Sequence, residues 1–209
     1  PELGGAIDLI ASAVKLGIVC SAAHTATGFA EITAAGKAGL THLTHFGNAM
    51  TPLHHREIGV VGAGLLDDSL MIEVIADGVH LSEDMLRLVF KCVPMDRIML
   101  ITDSVAASWR GDGEMKLGGI DAEIRGGIVR LKTGELAGST LRFNEGLRII
   151  SETTRRPLPE IVAATSWNQA RSLGLSGFGK LDSGFSADLV MMDEDFSIHG
   201  VWVGGERKV

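Results

Sequence analysis

Positive charge is in short supply. Lys and Arg number 19 against 26 Asp and Glu, a formal net charge of -7. No basic field exists to neutralise a phosphate backbone, which argues against a nucleic-acid partner. A local basic pocket for one small phosphate stays open. Cysteine is equally scarce: Cys20 and Cys92 are the only two. They stand far apart in apolar runs, which reads as buried thiols in a reducing compartment rather than a disulfide. The longest apolar stretches are broken by Gly and acidic residues and fall short of a bilayer span, so no membrane partner is expected. The opening Pro1-Glu2-Leu3 does not read as a signal peptide. It leads without a Met into a helical pattern, and the expectation is a chain that begins partway through a larger protein. The acidic balance, with a pI near 5.5, fits a cytoplasmic enzyme.

What is present is ordinary globular material: 45% hydrophobic and 22% charged residues, which excludes disorder. Gly5 to Leu16 carries a broad helical stripe ended by Gly17. Ile18 to Ala23 then reads as a buried strand ending at His24. A second helix, roughly Ala26 to Ala38, precedes a strand from Leu40 to Phe46 that carries His45 at its end. A loop rich in Gly, His and Pro is expected to about Gly64. Leu70 to Ala76 is a strand ending at Asp77-Gly78-Val79-His80, and Ser82 caps a helix to Cys92 with Glu83 and Asp84 in its first turn. Arg97 to Thr102 is a further strand ending at Asp103. These strands are continuously apolar, the mark of a parallel sheet covered on both faces. Beyond residue 112 the texture changes. Alternation around Gly126-Gly127 predicts a β-hairpin, helices are expected at 144–154 and 159–173, and the end reads as another hairpin. The organisation expected is a partial α/β barrel over 1–111, small β segments at 112–133 and 180–209 forming one appendage, and helices packed on the barrel over 134–179.

His24, His45, His80 and Asp103 each stand at the C-terminal end of a predicted parallel strand, the edge that carries the active site in an α/β barrel. Imidazoles with a carboxylate are a donor set for zinc first, or iron or another transition metal. Such a metal lowers the pKa of bound water to about 7 and polarises an amide carbonyl, and a nearby carboxylate can carry the water's proton to the leaving amine. A lone strand-end His is more often a hydrogen-bonded core residue, but three of them followed by an Asp favour a site. His42 reads as structural, His54 and His55 as solvated loop, and His199 as irrelevant. Asp77 serves equally well as a cap for the turn at Gly78 or as a substrate contact.

The segments Ser21-Ala22-Ala23-His24-Thr25, Thr44-His45-Phe46-Gly47-Asn48-Ala49-Met50, Ile75-Ala76-Asp77-Gly78-Val79-His80, Leu100-Ile101-Thr102-Asp103 and Leu136-Ala137-Gly138-Ser139-Thr140 closely resemble the N-acetylglucosamine-6-phosphate deacetylase family of the amidohydrolase superfamily. Asn168-Gln169-Ala170-Arg171 and the stretch from Gly179 to Val190 resemble the closing segment of many amidohydrolases. The resemblance covers essentially the whole chain in order. It implies the C-terminal half of a TIM-like (β/α)8 metallohydrolase barrel with part of a small β domain. It also implies metal-dependent hydrolysis of the acetamide of N-acetylglucosamine 6-phosphate. By match, His24 and His45 bind the metal, Asp103 is the general base and acid, and His80 holds the sugar and polarises the carbonyl. Asn48, the backbone of Ala49 and Arg56 bind the phosphate, Asp77 contacts substrate, and Leu136-Ala137-Gly138 line the acetyl or sugar pocket. In the family the matching arginine reaches a site across a dimer interface, so a homodimer is implied. Arg suits phosphate because its fork pairs two oxygens; without the family, a surface salt bridge to Glu57 would serve equally.

The sequence departs from that pattern in two places. The family's His-x-His strand and its Glu metal ligand are missing, since residue 1 matches a point roughly midway along the family's chain. Four strand units do not close an eight-stranded barrel of about 250 residues, and two His are fewer than the three protein ligands a catalytic zinc site wants. The expectation is a fragment, or half of an assembly completed by a missing N-terminal half, inactive alone. Second, Gly47 stands where the family usually has an aromatic residue, which would widen the pocket beside Asn48 and makes a galactosamine isomer conceivable. Two further readings are another amide hydrolase of the superfamily and a catalytically dead fragment that binds a sugar phosphate.

Overall fold

The computed structural model describes residues 1–209. Its first half is a run of strand-and-helix units. Helix α1 (Ala6–Lys15) precedes β1 (Cys20–Ala22), α2 (Phe29–Ala38) precedes β2 (Leu40–Leu43), α3 (Gly59–Leu66) precedes β3 (Met71–Ile75), and α4 (Glu83–Cys92) precedes β4 (Ile98–Ile101). The four strands form one parallel sheet in the order β1-β2-β3-β4. Sequential order without a crossover is what right-handed βαβ units give when each strand adds beside the last, as in a barrel wall.

The two faces of this sheet differ, which corrects the expectation of strands apolar on both sides. Leu43, Ile72, Val74, Ile98 and Leu100 belong to the main buried core, with Ile32 and Ala35 of α2, Leu86, Val89 and Phe90 of α4, and Leu147 and Ile150 further on. Register puts Ser21, His42 and Met71 side by side on the opposite face, with Glu73 two residues further along β3 and Met99 opposite it. That inner face mixes polar and thioether side chains and is unevenly covered: Ser21 is exposed and Glu73 half-buried, while His42 and Met99 are buried.

The stretch 59–64, expected as the end of a loop, belongs to α3. Its glycines read as turn formers, yet here they permit close approach: a Cβ on Gly64 would stand 2.3 Å from Cε2 of Phe46 and 2.9 Å from Cδ1 of Leu43. Helix α4 forms as its caps foretell, with Ser82 Oγ accepting from the Met85 N–H at 3.3 Å and Lys91 in the last turn. At the opposite end of the strands from the predicted site, Arg97 is 5% exposed. It donates to the carbonyls of Leu70 (2.9 Å) and Gly64 (2.8 Å) and to Asp68 (3.1 Å), tying α3, β3 and β4 together.

The second half also departs from its expected outline. Strands β5 (Gly113–Leu117), β6 (Ile120–Arg125), β7 (Ile128–Leu131) and β8 (Leu136–Ser139) make one antiparallel sheet, so β8 interrupts the region expected to be helical. Strands β9 (Leu189–Met192), β10 (Ile198–Val203) and β11 (Glu206–Arg207) make a second, separate sheet rather than completing the first. Helix α5 (Phe143–Thr154) matches its expected span, but 159–173 is broken into α6 (Leu158–Ile161), a 3-10 turn (Val162–Thr165) and α7 (Trp167–Ser172). The break lets Asn168 donate to the Ile98 carbonyl and Gln169 to the Leu100 carbonyl, at 2.7 and 3.0 Å, covering the outer edge of β4 with side-chain amides. No helix is long and apolar enough to cross a membrane.

His42 supplies a test of the buried inner face. It is 4% exposed, its Nδ1 lies 2.8 Å from Thr41 Oγ1, its Nε2 has no partner, and burial lowers its pKa. A lowered folded pKa means the stabilisation is complete above the unfolded value of about 6.5. It is lost as pH falls from there through the folded value. Urea midpoints measured at pH 8 and pH 5.5 are expected to fall further in the native chain than in His42→Leu.

Candidate active site

The C-terminal ends of β1 to β4 form one rim, and the strand-end residues occupy it. Three of them hold left-handed backbone: His24 at φ 45°, His45 at φ 36° and Asp103 at φ 51°, joined by Ala49 at φ 49°. Each such non-glycine residue costs about 1–2 kcal/mol, and such strain collects where a site needs a side chain turned away from its strand. The His24 and His45 rings stand 4.7 Å apart between centroids, tilted by 36°. Between them they would offer imidazole nitrogens to a divalent ion. His45 Nδ1 is buried without a hydrogen-bond partner. Burial lowers the His45 pKa; a backbone hydrogen bond and Asp103 oppose this, while His24 and His80 add to it. The ring is therefore neutral near pH 7, with a lone pair free for a metal. No third His, Cys, Asp or Glu joins the pair in a metal-holding cluster. These residues fit a metal as two ligands of a set they do not complete.

His80 is fixed by its own turn. Asp77 Oδ2 lies 2.6 Å from His80 Nδ1, and Oδ1 accepts the N–H groups of Val79 and His80, both at 2.8 Å. Burial alone would push the Asp77 carboxyl up; these hydrogen bonds outweigh it and hold it below its ordinary range. Asp77 thus caps the turn and orients the imidazole, while Nε2 makes no hydrogen bond. Asp103 is held from the other side by β8. Its carbonyl accepts the Ser139 N–H at 2.8 Å, the Ser139 carbonyl accepts the Val105 N–H at 2.9 Å, and Ser139 Oγ donates to the Thr102 carbonyl. Gly138, at φ 78°, permits this contact. A Cβ there would lie 2.9 Å from the Asp103 carbonyl oxygen and 2.8 Å from Val105 Cγ1. The Gly138-Ser139 end of β8 therefore lies against Asp103.

The expected phosphate ligands are less uniform. Asn48 turns its amide inward, donating to the carbonyls of His45 and Phe46 at 3.1 and 3.3 Å, whereas the Ala49 N–H has no acceptor. Arg56 is exposed and engages His55 at 2.7 Å rather than Asn48 or Ala49. Nor does it pair with Glu57, whose carboxylate instead accepts the Phe29 and Gly59 N–H groups. His54 and His55 stack on the same exposed loop, and His199 pairs with Asp193 in the terminal hairpin. At Gly47, Leu81 stands in the space an aromatic ring would take, its Cδ2 3.1 Å from a built Cβ.

Sequence reasoning missed Glu73. It lies on the inner face among the strand-end residues; burial raises its pKa, the His45 backbone N–H opposes this, and Asp103 adds to it. The available signal was a single carboxylate inside Met71-Ile72-Glu73-Val74-Ile75.

Residues 3–208 match the sequence profile of the amidohydrolase family. The chain is 38% identical over 199 residues to an N-acetylglucosamine-6-phosphate deacetylase of Bacillus subtilis (strain 168), covering 95% of this chain and 50% of the relative. A putative N-acetylgalactosamine-6-phosphate deacetylase of Escherichia coli (strain K12) is 39% identical over 163 residues, covering 78% of this chain and 97% of the relative. Among solved structures, a variant of the N-acetyl-D-glucosamine-6-phosphate deacetylase of Mycobacterium smegmatis, in complex with N-acetyl-D-glucosamine-6-phosphate, superposes with a TM-score of 0.95. Its sequence is 35% identical, and the match covers 99% of this chain and 55% of that one. The short Escherichia coli relative apart, the chain spans about half the length of the relatives it matches.

The Asp77 turn yields a direct test. Asp77→Ala removes a charged acceptor from three donors and is expected to cost about 2–3 kcal/mol in urea unfolding. Nitrogen NMR of His80 should show Nδ1 protonated in the native chain and a mixture of tautomers in the variant.

Proposed function

Because this chain belongs to the amidohydrolase family, we propose that it carries the catalytic rim of an enzyme that hydrolyses the acetamide of N-acetylglucosamine 6-phosphate to glucosamine 6-phosphate and acetate. The observation that carries this reading is the meeting of His24, His45, His80 and Asp103 at one sheet edge, with the His24 and His45 rings 4.7 Å apart. His24 and His45 would hold a divalent metal, zinc before iron. When bound, that ion supplies an acidified water and a polarised carbonyl.

The chain's own residues divide the remaining work. Asp103, carried on left-handed backbone and braced by Ser139, takes the water's proton and returns it to the departing amine. His80, locked by Asp77, directs Nε2 to the acetamide and the sugar. The Leu136-Ala137-Gly138 backbone lines the acetyl or sugar pocket beside Asp103. The free Ala49 N–H faces the 6-phosphate, assisted by Asn48, and Arg56 reaches the phosphate in the site of a second copy of the chain. Its exposed loop position and its lack of a carboxylate partner support that role. Substrate chemistry of this kind suits the cytoplasm.

A catalytic zinc wants three protein ligands and the chain gathers two, while its parallel sheet has four strands with β1 uncovered. We therefore place the third ligand and the remaining barrel wall in polypeptide outside these 209 residues. A galactosamine substrate is the second reading, favoured by the 39% identity to the Escherichia coli (K12) relative.

Two experiments test this. A preparation of mass 22.1 kDa, containing these residues alone, is expected to retain zinc poorly and show no turnover; acetate release from it would refute the two-ligand account. In the active enzyme that contains this chain, Arg56→Gln is expected to raise KM for the 6-phosphate at least tenfold with little change in kcat. Equal kinetics on phosphorylated and unphosphorylated sugars would point to a different amide hydrolase. Comparing kcat/KM for the two amino-sugar isomers decides between the sugars.

A further inference from the structure

This acidic chain nevertheless gathers positive charge in one place. Helices α4 and α5 pack against each other and end at Cys92 and Thr154. At those ends lies an open cleft of about 410 Å³. Four cations line it, Arg87, Lys91, Arg155 and Arg156, and no carboxylate does; Phe90 is its single apolar residue. Helix α4 starts just beyond His80 and stops before β4 begins, so the cleft lies about one helix length, ~15 Å, from the rim.

Two of the cations are clamps between the helices. Arg156 donates to the Phe90 carbonyl at 2.7 Å and Arg87 to the Thr153 carbonyl at 3.3 Å. Cations at helix C-termini also answer the helix dipole, which accounts for this pair. Their charge is balanced as well, Arg87 by Glu83 and Asp84 and Arg156 by Glu160. Lys91 and Arg155 are different: both are exposed, and neither makes an ion pair or a side-chain hydrogen bond. Arg155 also stands where a helix usually places glycine. It caps α5 on left-handed backbone, φ 55° and ψ 25°, at about 1–2 kcal/mol.

A guanidinium held on strained backbone beside a free ammonium, in a concavity without acids, is suited to negative charge. We propose that this cleft binds a compact anion carrying two or more phosphoryl groups, at a site separate from the rim. Its volume falls within the range of small-molecule sites, but their usual apolar lining is missing, which favours a charged ligand. One phosphate would engage only part of the four cations; a linked pair or trio reaches Lys91 and Arg155 together.

Pyrophosphate and tripolyphosphate are the probes, titrated into the metal-free chain and followed by amide NMR. One saturable site is expected, shifting the amides of Lys91 and of Thr153 to Arg156 and leaving those of His24, His45 and Asp103 unmoved. Lys91→Gln and Arg155→Gln should each weaken binding about tenfold, the loss of one charged hydrogen bond. Arg155→Gly relieves the backbone while removing the charge, so it should resist urea better than the native chain yet bind as weakly as Arg155→Gln. Lys37→Gln, on α2, should bind as the native chain does. Lack of saturation at millimolar probe overturns the proposal, as does native affinity in the Lys91 and Arg155 variants. Shifts confined to the rim overturn it too, since the anion would then occupy the substrate's own phosphate site.

Discussion

Everything at the rim depends on the parallel ladder from β1 to β4. Its register sets Ser21 beside His42, His42 beside Met71, and Glu73 beside Met99. All four chains consequently leave the sheet at one level. Isolated pairings carry this order past the strand ends: Thr25 bridges to Met50, and Ser104 to Ser139. A slip of one residue in any strand would turn its helix-facing side chains toward the mouth and its strand-end ligand away from it. The hydrophobic burial of Leu43, Ile72, Val74, Ile98 and Leu100 therefore guards the geometry of polar residues it never touches.

The second layer of control is local strain. His24, His45 and Asp103 leave their strands through left-handed backbone, at about 1–2 kcal/mol each. The offsets are visible hydrogen bonds: Thr44 to Ala22, Phe46 to Glu73, and Ser139 to Asp103. Such supports are cheap in number because the ladder has already brought the partners together. They also separate roles along the strand. At the far end, Arg97 gathers the carbonyls of Leu70 and Gly64; at the near end, Asp77 holds the His80 ring and Ser139 braces the Asp103 backbone.

The sheet's two edges are unequal. Along β4, Asn168 and Gln169 occupy the carbonyls of Ile98 and Leu100, so the C-terminal helices are latched to the sheet through hydrogen bonds as well as through Ile161 and Ala164 in the core. Along β1 no strand or amide takes that place, and the nearby Leu16, Ile18 and Val19 are 78%, 55% and 41% exposed. Exposure of this kind at an unpaired strand is unfavourable.

Much of this was legible from the sequence. Local patterns marked the strands, the Ser82 cap, the hairpin at Gly126-Gly127 and the positions of His24, His45, His80 and Asp103, because strand ends and turn formers obey short-range rules. The glycines of α3 were misread, since a glycine that admits Phe46 looks the same in sequence as one that makes a turn. The break before α7, the division of the small β segments into two sheets and the place of β8 were likewise hidden: each is decided by carbonyls and edges that come from distant parts of the chain. Glu73 was overlooked because one acid in an apolar strand has no meaning until register and pleat assign it a face. The sequence by itself determined which residues could do chemistry; the tertiary structure alone decided which of them share a rim and what holds them there, because hydrogen-bond register is a relation between segments and belongs to none of them singly.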